Sequence, residues 1–226
     1  MVRIQLYTGH HFAAEALNDV REEIIKFQQG FNPEAVGTKD GFFADPDGGH
    51  EFYNFMRSAW GKVEPTRAHL AVGRLCEVHD VDVWQATIDT LSERGGAEGV
   101  RYIGGRIDQA ICEACDHTWT VCEDLNARDA CPACFAYAAR PSIAWVNEFK
   151  ETVEDFAAEV EKCETPDLIV LAGFGEIDIF AGHLAEVAEK SGVETVWIGD
   201  EPAFVKAEKP VHDDFVLWVD SFLAQS

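Results

Sequence analysis

Two spacings of apolar residues run through the chain, and they divide it into strands and helices joined by short glycine turns. Arg3-Ile4-Gln5-Leu6-Tyr7 reads as a first strand, which enters a turn at Thr8-Gly9-His10-His11 and then a helical stretch starting near Ala13. Val81 to Thr87 alternates as a strand, and Leu91 to Arg94 is a short helix ended by Gly95-Gly96. Glu51 to Trp60, Pro65 to Cys76 and Glu148 to Lys162 carry helical spacing, with Pro65 as a helix-start residue. Leu168-Ile169-Val170-Leu171-Ala172 is a continuous apolar run, as expected of a parallel strand buried on both faces. A Gly173-Phe174-Gly175 turn, a helix through Leu184 to Lys190 and a strand at Thr195-Val196-Trp197-Ile198 follow. Strands alternating with helices predict an α/β fold with a doubly wound, Rossmann-like parallel sheet. Gly37 to His50, GTKDGFFADPDGGH, has several turn signals and no periodic face, so it reads as a flexible surface loop.

One segment does not belong to that alternation. Cys112-x2-Cys115, fifteen residues, and Cys131-x2-Cys134 have the spacing of a zinc ribbon, in which two knuckles each bring two thiolates to one tetrahedral ion. Asp116, His117, Asn126 and Pro132 between them are turn residues, so metal rather than a core holds this module together. Four thiolates leave no position for water, which makes the zinc structural. His117 is close enough in sequence to compete as a ligand, and redox-active C-x-x-C is the other alternative. The domain organisation that follows is residues 1–107 and 141–226 as one α/β domain, with 108–140 as a zinc-ribbon insertion. Cys76, Cys122 and Cys163 read as free thiols.

Composition narrows the setting. A hydrophobic share of 47% is that of a globular protein. The chain has neither the long apolar segment of a membrane span nor that of a signal peptide, so the expected location is cytoplasmic, with no membrane role. A formal charge of −23 argues against nucleic acid as a partner, because such surfaces need Lys and Arg to displace counterions. Fifteen acidic residues against three lysines lie between Glu148 and Glu201. They form a solvated surface or a docking face for a basic protein partner.

With a ribbon set between a strand-turn-helix unit and a parallel-sheet tail, the chain resembles the sirtuins, NAD-dependent protein deacylases with a zinc-ribbon insertion. Pro65-Thr66-Arg67-Ala68-His69, Ile88-Asp89 with Leu91 and Glu93-Arg94, Arg140-Pro141-Ser142-Ile143-Ala144-Trp145 and Glu148 carry the likeness over nearly the whole length. What the resemblance implies is a nucleotide site at Gly9, His10, His11, Glu15, Asp89, Gly173, Phe174, Gly175, Gly199 and Glu201, with an acyl-lysine protein as the other ligand. The chain departs from the family where its chemistry sits. The family's general base, a histidine eight residues before the first zinc cysteine, is Gly104, and its Gln-Asn pair is Ala86-Thr87. His11 stands at the second glycine of the phosphate loop, where a side chain crowds the pyrophosphate unless the loop is remodelled. Gly173-Phe174-Gly175 replaces a glycine-threonine-serine turn.

Two readings follow. One is a pseudoenzyme that keeps scaffold and zinc and acts by binding a nucleotide-like ligand or a protein partner, NAD itself being doubtful. The alternative is an active NAD-consuming enzyme, deacylase or hydrolase, with a remodelled site drawing on Asp89, His10 or His11. A decoy with this skeleton is a third, resting only on size and charge.

Overall fold

The computed structural model describes residues 1–145, 148–175, 182, 184, 188–199, 211–212 and 214–225. Its centre is a parallel sheet in which β1 (Arg3–Thr8) pairs on one side with β2 (Asp80–Gln85) and on the other with β7 (Leu168–Ala172). β3 (Arg101–Tyr102), β8 (Glu194–Ile198) and β9 (Val211–His212) complete the order β3-β2-β1-β7-β8-β9. The reversal of strand order on either side of β1 is the signature of a doubly wound sheet, as its pattern predicted.

Both faces of the sheet are covered. On one, Ile4, Leu6, Val83 and Val170 meet Val72 and Leu75 of α5 (Arg67–Val78) and Phe215, Trp218 and Val219 of α8 (Phe215–Leu223). On the other, Tyr7, Trp84, Ile169 and Leu171 pack against Phe156 and Val160 of α7 (Phe149–Val160). A strand apolar at every position is stable only between two such layers, and all five residues of β7 are buried. β3, β9 and α8 went unread in the sequence: two-residue strands have no period to detect. The helix expected through Leu184 to Lys190 lies largely outside the described residues.

After β1 the chain makes two 3-10 turns, His10–Ala13 and Ala16–Asp19, before α1 (Arg21–Gln28), so helix proper starts later than Ala13. The expectation of a flexible loop over Gly37–His50 is overturned. This stretch holds the end of α2 (Pro33–Gly37), all of α3 (Lys39–Ala44) and the start of α4 (Pro46–Lys62). The turn residues are caps: Asn32 Oδ1 accepts from Glu34 N, Thr38 Oγ1 from Gly41 N, and Asp45 Oδ1 from Gly48 N. Phe42 is wholly buried, against His50, Tyr53 and Trp145. The segment belongs to a packed helical layer.

A second, antiparallel sheet, β5 (Thr118–Thr120), β4 (Gly105–Cys112) and β6 (Ala139–Ile143), carries the cysteine knuckles. Its strands span 105–143. Among the described residues no helix is long and apolar enough to cross a membrane.

Candidate functional site

The four cysteines come together as their spacing required. All four sulfurs lie within 4.8 Å of one another, with Cys112–Cys134 at 3.6 Å and Cys115–Cys131 at 3.8 Å. A tetrahedral ion with thiolates at about 2.3 Å sets its sulfurs about 3.8 Å apart, so this donor set fits Zn2+. The two knuckles repeat one device. Asp116 N donates to Cys112 O at 2.8 Å and Phe135 N to Cys131 O at 2.9 Å, each from a left-handed residue, φ 55° and 64°, directly after the second cysteine. His117 instead stacks on Trp119 at 5.8 Å and is not part of the cluster.

Arg140 ties this module to the start of α7. Its guanidinium donates to Glu113, to Ile143 O at 2.8 Å and to Glu148 Oε1 at 2.7 Å, and lies over the Trp145 ring. Glu148 Oε2 in turn accepts from Trp145 N at 3.2 Å. From the helical layer, Arg57 Nε donates to Ile107 O and Asn54 Nδ2 to Leu125 O.

At the carboxyl ends of β1 and β7, where doubly wound sheets bind ligands, two turns close on each other. Gly9 N donates to Ala172 O and His11 N to Gly173 O, both at 2.8 Å. A Cβ on Gly9 would lie 2.5 Å from Gly173 O, and one on Gly173, at φ +70°, 2.7 Å from Phe12 N. Both glycines are therefore required by the contact between the loops themselves. The His11 imidazole rests on Gly175, where a Cβ would come within 2.9 Å of Cε1, and Phe174 is buried in the core. Gly199, at φ +107°, adjoins Gly173, completing the set drawn from β1, β7 and β8. Glu15 is exposed, and Glu201 lies outside the described residues.

Asp89 is buried in a polar cluster that follows β2. Its Oδ1 accepts from the amide of Leu91, the first residue of α6 (Leu91–Arg94), at 2.9 Å, while its Oδ2 is buried with no hydrogen-bond partner among the described residues. Gln85 Nε2 donates to Asp89 O at 2.6 Å, and Ser92 Oγ to Gln85 Oε1 at 2.6 Å. His69 is also buried. Thr66 N donates to its Nδ1, and its ring meets Phe12 edge-on at 5.2 Å. Burial holds the His69 imidazole below its ordinary value, with the Asp89 charge acting the other way. Thr8 Oγ1, at the end of β1, is likewise buried and unpartnered among the described residues. Thr8 Oγ1 and Asp89 Oδ2 are thus two buried polar atoms that a ligand's hydrogen-bond donors would satisfy, whereas the His11 amide is already bonded to Gly173. Thr8, His69, Gln85 and Ser92 were not read as site residues. Only the Thr66-x-x-His69 capping box hinted at one of them.

Gly104 lines a cavity of about 740 Å3 between the two sheets, with Trp84, Tyr102, Ser142, Ala144 and Phe156 in its wall. A Cβ built there would meet only Ala86 O, at 3.6 Å. The position has room for a side chain and carries none. Trp84 Nε1 and the Tyr102 hydroxyl are buried without partners among the described residues.

Comparison with known proteins agrees with this architecture. A sequence model described as "Sir2 family" matches residues 17–176. An NAD-dependent protein deacylase of Vibrio cholerae is 33% identical over 180 residues, 77% of this chain and 72% of that protein. One of Ralstonia nicotianae is 24% identical over 226 residues, 98% of this chain and 91% of that protein. Among solved structures, a Sir2 homologue–NAD complex superposes with a TM-score of 0.77 at 20% identity, over 99% of this chain and 88% of that one. An ADP-ribose complex of a mutant Sir2 homologue gives 0.76 at 20% identity, over 99% and 94%.

Proposed function

Because this chain belongs to the Sir2 family, we propose that it binds a nicotinamide nucleotide at the carboxyl ends of β1, β7 and β8 and is impaired in deacylation. Gly104 carries this reading. At position 104 the wall of the cavity between the sheets has space for a side-chain base and offers only backbone. Losing a positioned base typically costs a factor of about 10²–10⁴ in rate. What an NAD molecule supplies when bound is a ribosyl–nicotinamide bond open to cleavage. Asp89 Oδ2 and Thr8 Oγ1 would accept hydrogen bonds from the bound nucleotide, which relieves two buried acceptors of their desolvation. The closed Gly9–His11 and Gly173–Gly175 turns offer fewer free amides to phosphate, which supports weak binding. Cys112, Cys115, Cys131 and Cys134 would hold a structural zinc. The protein then acts as a binding module toward an acyl-lysine protein or a basic partner, consistent with its −23 charge, which also disfavours nucleic acid.

The test is nicotinamide release from NAD, followed by mass spectrometry with and without an acetyl-lysine peptide, for the wild type and Gly104→His. The expected outcome is little peptide-dependent release from the wild type and a gain of about 10²-fold or more in the variant. A wild type that deacetylates the peptide as fast as Gly104→His would overturn the reading. The second reading, an active NAD-consuming enzyme, is favoured by the orphaned carboxylate of Asp89 and by the deacylase names of the relatives. Under it, release proceeds in the wild type and collapses in Asp89→Asn. Release that ignores the peptide would make the activity a hydrolase.

A further inference from the structure

A second cavity, of about 720 Å3, shares no lining residue with the one beside Gly104. It sits in the helical layer among α1, α2 and α4, and its size is that of a small-molecule pocket, about 300–1,000 Å3. Two features of its wall set what it can take. Phe27, Phe31 and Phe55 supply an aromatic lining: Phe27 stacks on Phe55 at 3.7 Å between centroids and meets Phe31 at 4.9 Å. All three rings are only half-buried: each packs in part against a core cluster of the helical layer and also lines the cavity. Around them stand the carboxylates of Glu23, Asp45 and Glu51, against a single lysine in the wall, Lys26. Asp45 uses one oxygen to cap α4, and Glu23 is 3.9 Å from Lys62 with both side chains more than half exposed, a weak pair.

We infer that this cavity is a binding site for an organic ammonium ion carrying an apolar body, the body against the phenylalanine rings and the cation among Glu23, Asp45 and Glu51. Aromatic faces carry negative potential and attract a cation within about 6 Å of the ring, and the carboxylates add to that attraction from the rim. An apolar anion would meet both in repulsion. A neutral apolar ligand would gain only the burial of its carbon surface. The chain's −23 charge adds a field of the same sign, which concentrates cations over anions at this mouth. The proposal is independent of what happens at Gly104 or Asp89, since none of its residues belongs to that region.

The experiment is calorimetric or NMR titration of the intact protein with three probes of one shape: 4-phenylbutylamine, 4-phenylbutanol and 4-phenylbutyrate. The amine binds at least about tenfold more tightly than the alcohol, equivalent to about 1.4 kcal/mol, and the carboxylate binds least. Glu51→Gln and Glu23→Gln, exposed changes that leave the fold alone, weaken the amine several-fold and leave the alcohol unchanged. Phe31→Ala weakens both. Equal affinity for amine and alcohol would overturn the inference by making the cavity merely apolar. So would an amine affinity indifferent to both Gln variants, or no binding of the amine at millimolar concentration.

Discussion

At His69 three elements converge on one imidazole: the cap of α5, the Phe12 ring after β1, and the Asp89 charge before α6. Burial keeps this ring neutral in the folded state, whereas in the unfolded chain it titrates near 6.5. The unfolded state therefore binds more protons below that pH, and stability contributed by the neutral ring is lost as pH falls through about 6.5. We expect unfolding free energy to drop by up to about 1.4 kcal/mol per pH unit on that account. His69→Asn, which keeps an acceptor for Thr66, should show a shallower slope between pH 7.5 and 5.5 in denaturant titrations; an unchanged slope would remove His69 as the cause. At the same scale, sequence alone pointed to Asp89 by resemblance, as a residue of the nucleotide site. In the fold one of its oxygens accepts from Leu91 N and the other is unpartnered among the described residues.

Among the elements, α3 separates local signals from tertiary ones. Its sequence, KDGFFA, contains a glycine and aromatic residues that favour helices weakly, and Asp45-Pro46 after it reads as a turn. What makes it a helix is the Thr38 cap and the burial of Phe42 under Tyr53 and Trp145, residues distant in sequence. Phe42→Ala should cost about 3–5 kcal/mol, the usual range for a fully buried phenylalanine. A loss under about 0.5 kcal/mol in urea unfolding would mean the segment is not packed. β7 is the opposite case. Five consecutive apolar residues bounded by Asp167 and Gly173 have no alternative to a two-faced burial, and they were legible at once.

Over the whole molecule, the antiparallel sheet with its knuckles is tied to the helices around it by side chains: Arg140 to Glu148 at the start of α7, and Arg57 and Asn54 of α4 to Ile107 and Leu125. The knuckles have little core of their own, since Cys115, Cys134, Phe135 and Tyr137 are all exposed. Metal should therefore contribute folding free energy outright. Elemental analysis should find about one zinc per chain, and removing it with a chelator, or Cys131→Ser, should lower the melting temperature of the full chain. Metal-free protein with unchanged melting would show that the sulfur cluster has no structural role. The acidic surface bears on the same scale, as self-repulsion that salt relieves.

By itself the sequence determined the pairing of four cysteines in two knuckles, the parallel sheet and the glycine at 104. Each is a local fact: a spacing between thiols, a run of apolar residues, the identity of one residue. The tertiary structure alone decided that Gly9–His11 closes on Gly173–Gly175, that Asp89 and Thr8 are buried with unpartnered oxygens among the described residues, and that three phenylalanines line a cavity with carboxylates in its wall. Those features come from residues tens to well over a hundred positions apart. Their chemistry depends on distance in space, which no periodicity along the chain encodes.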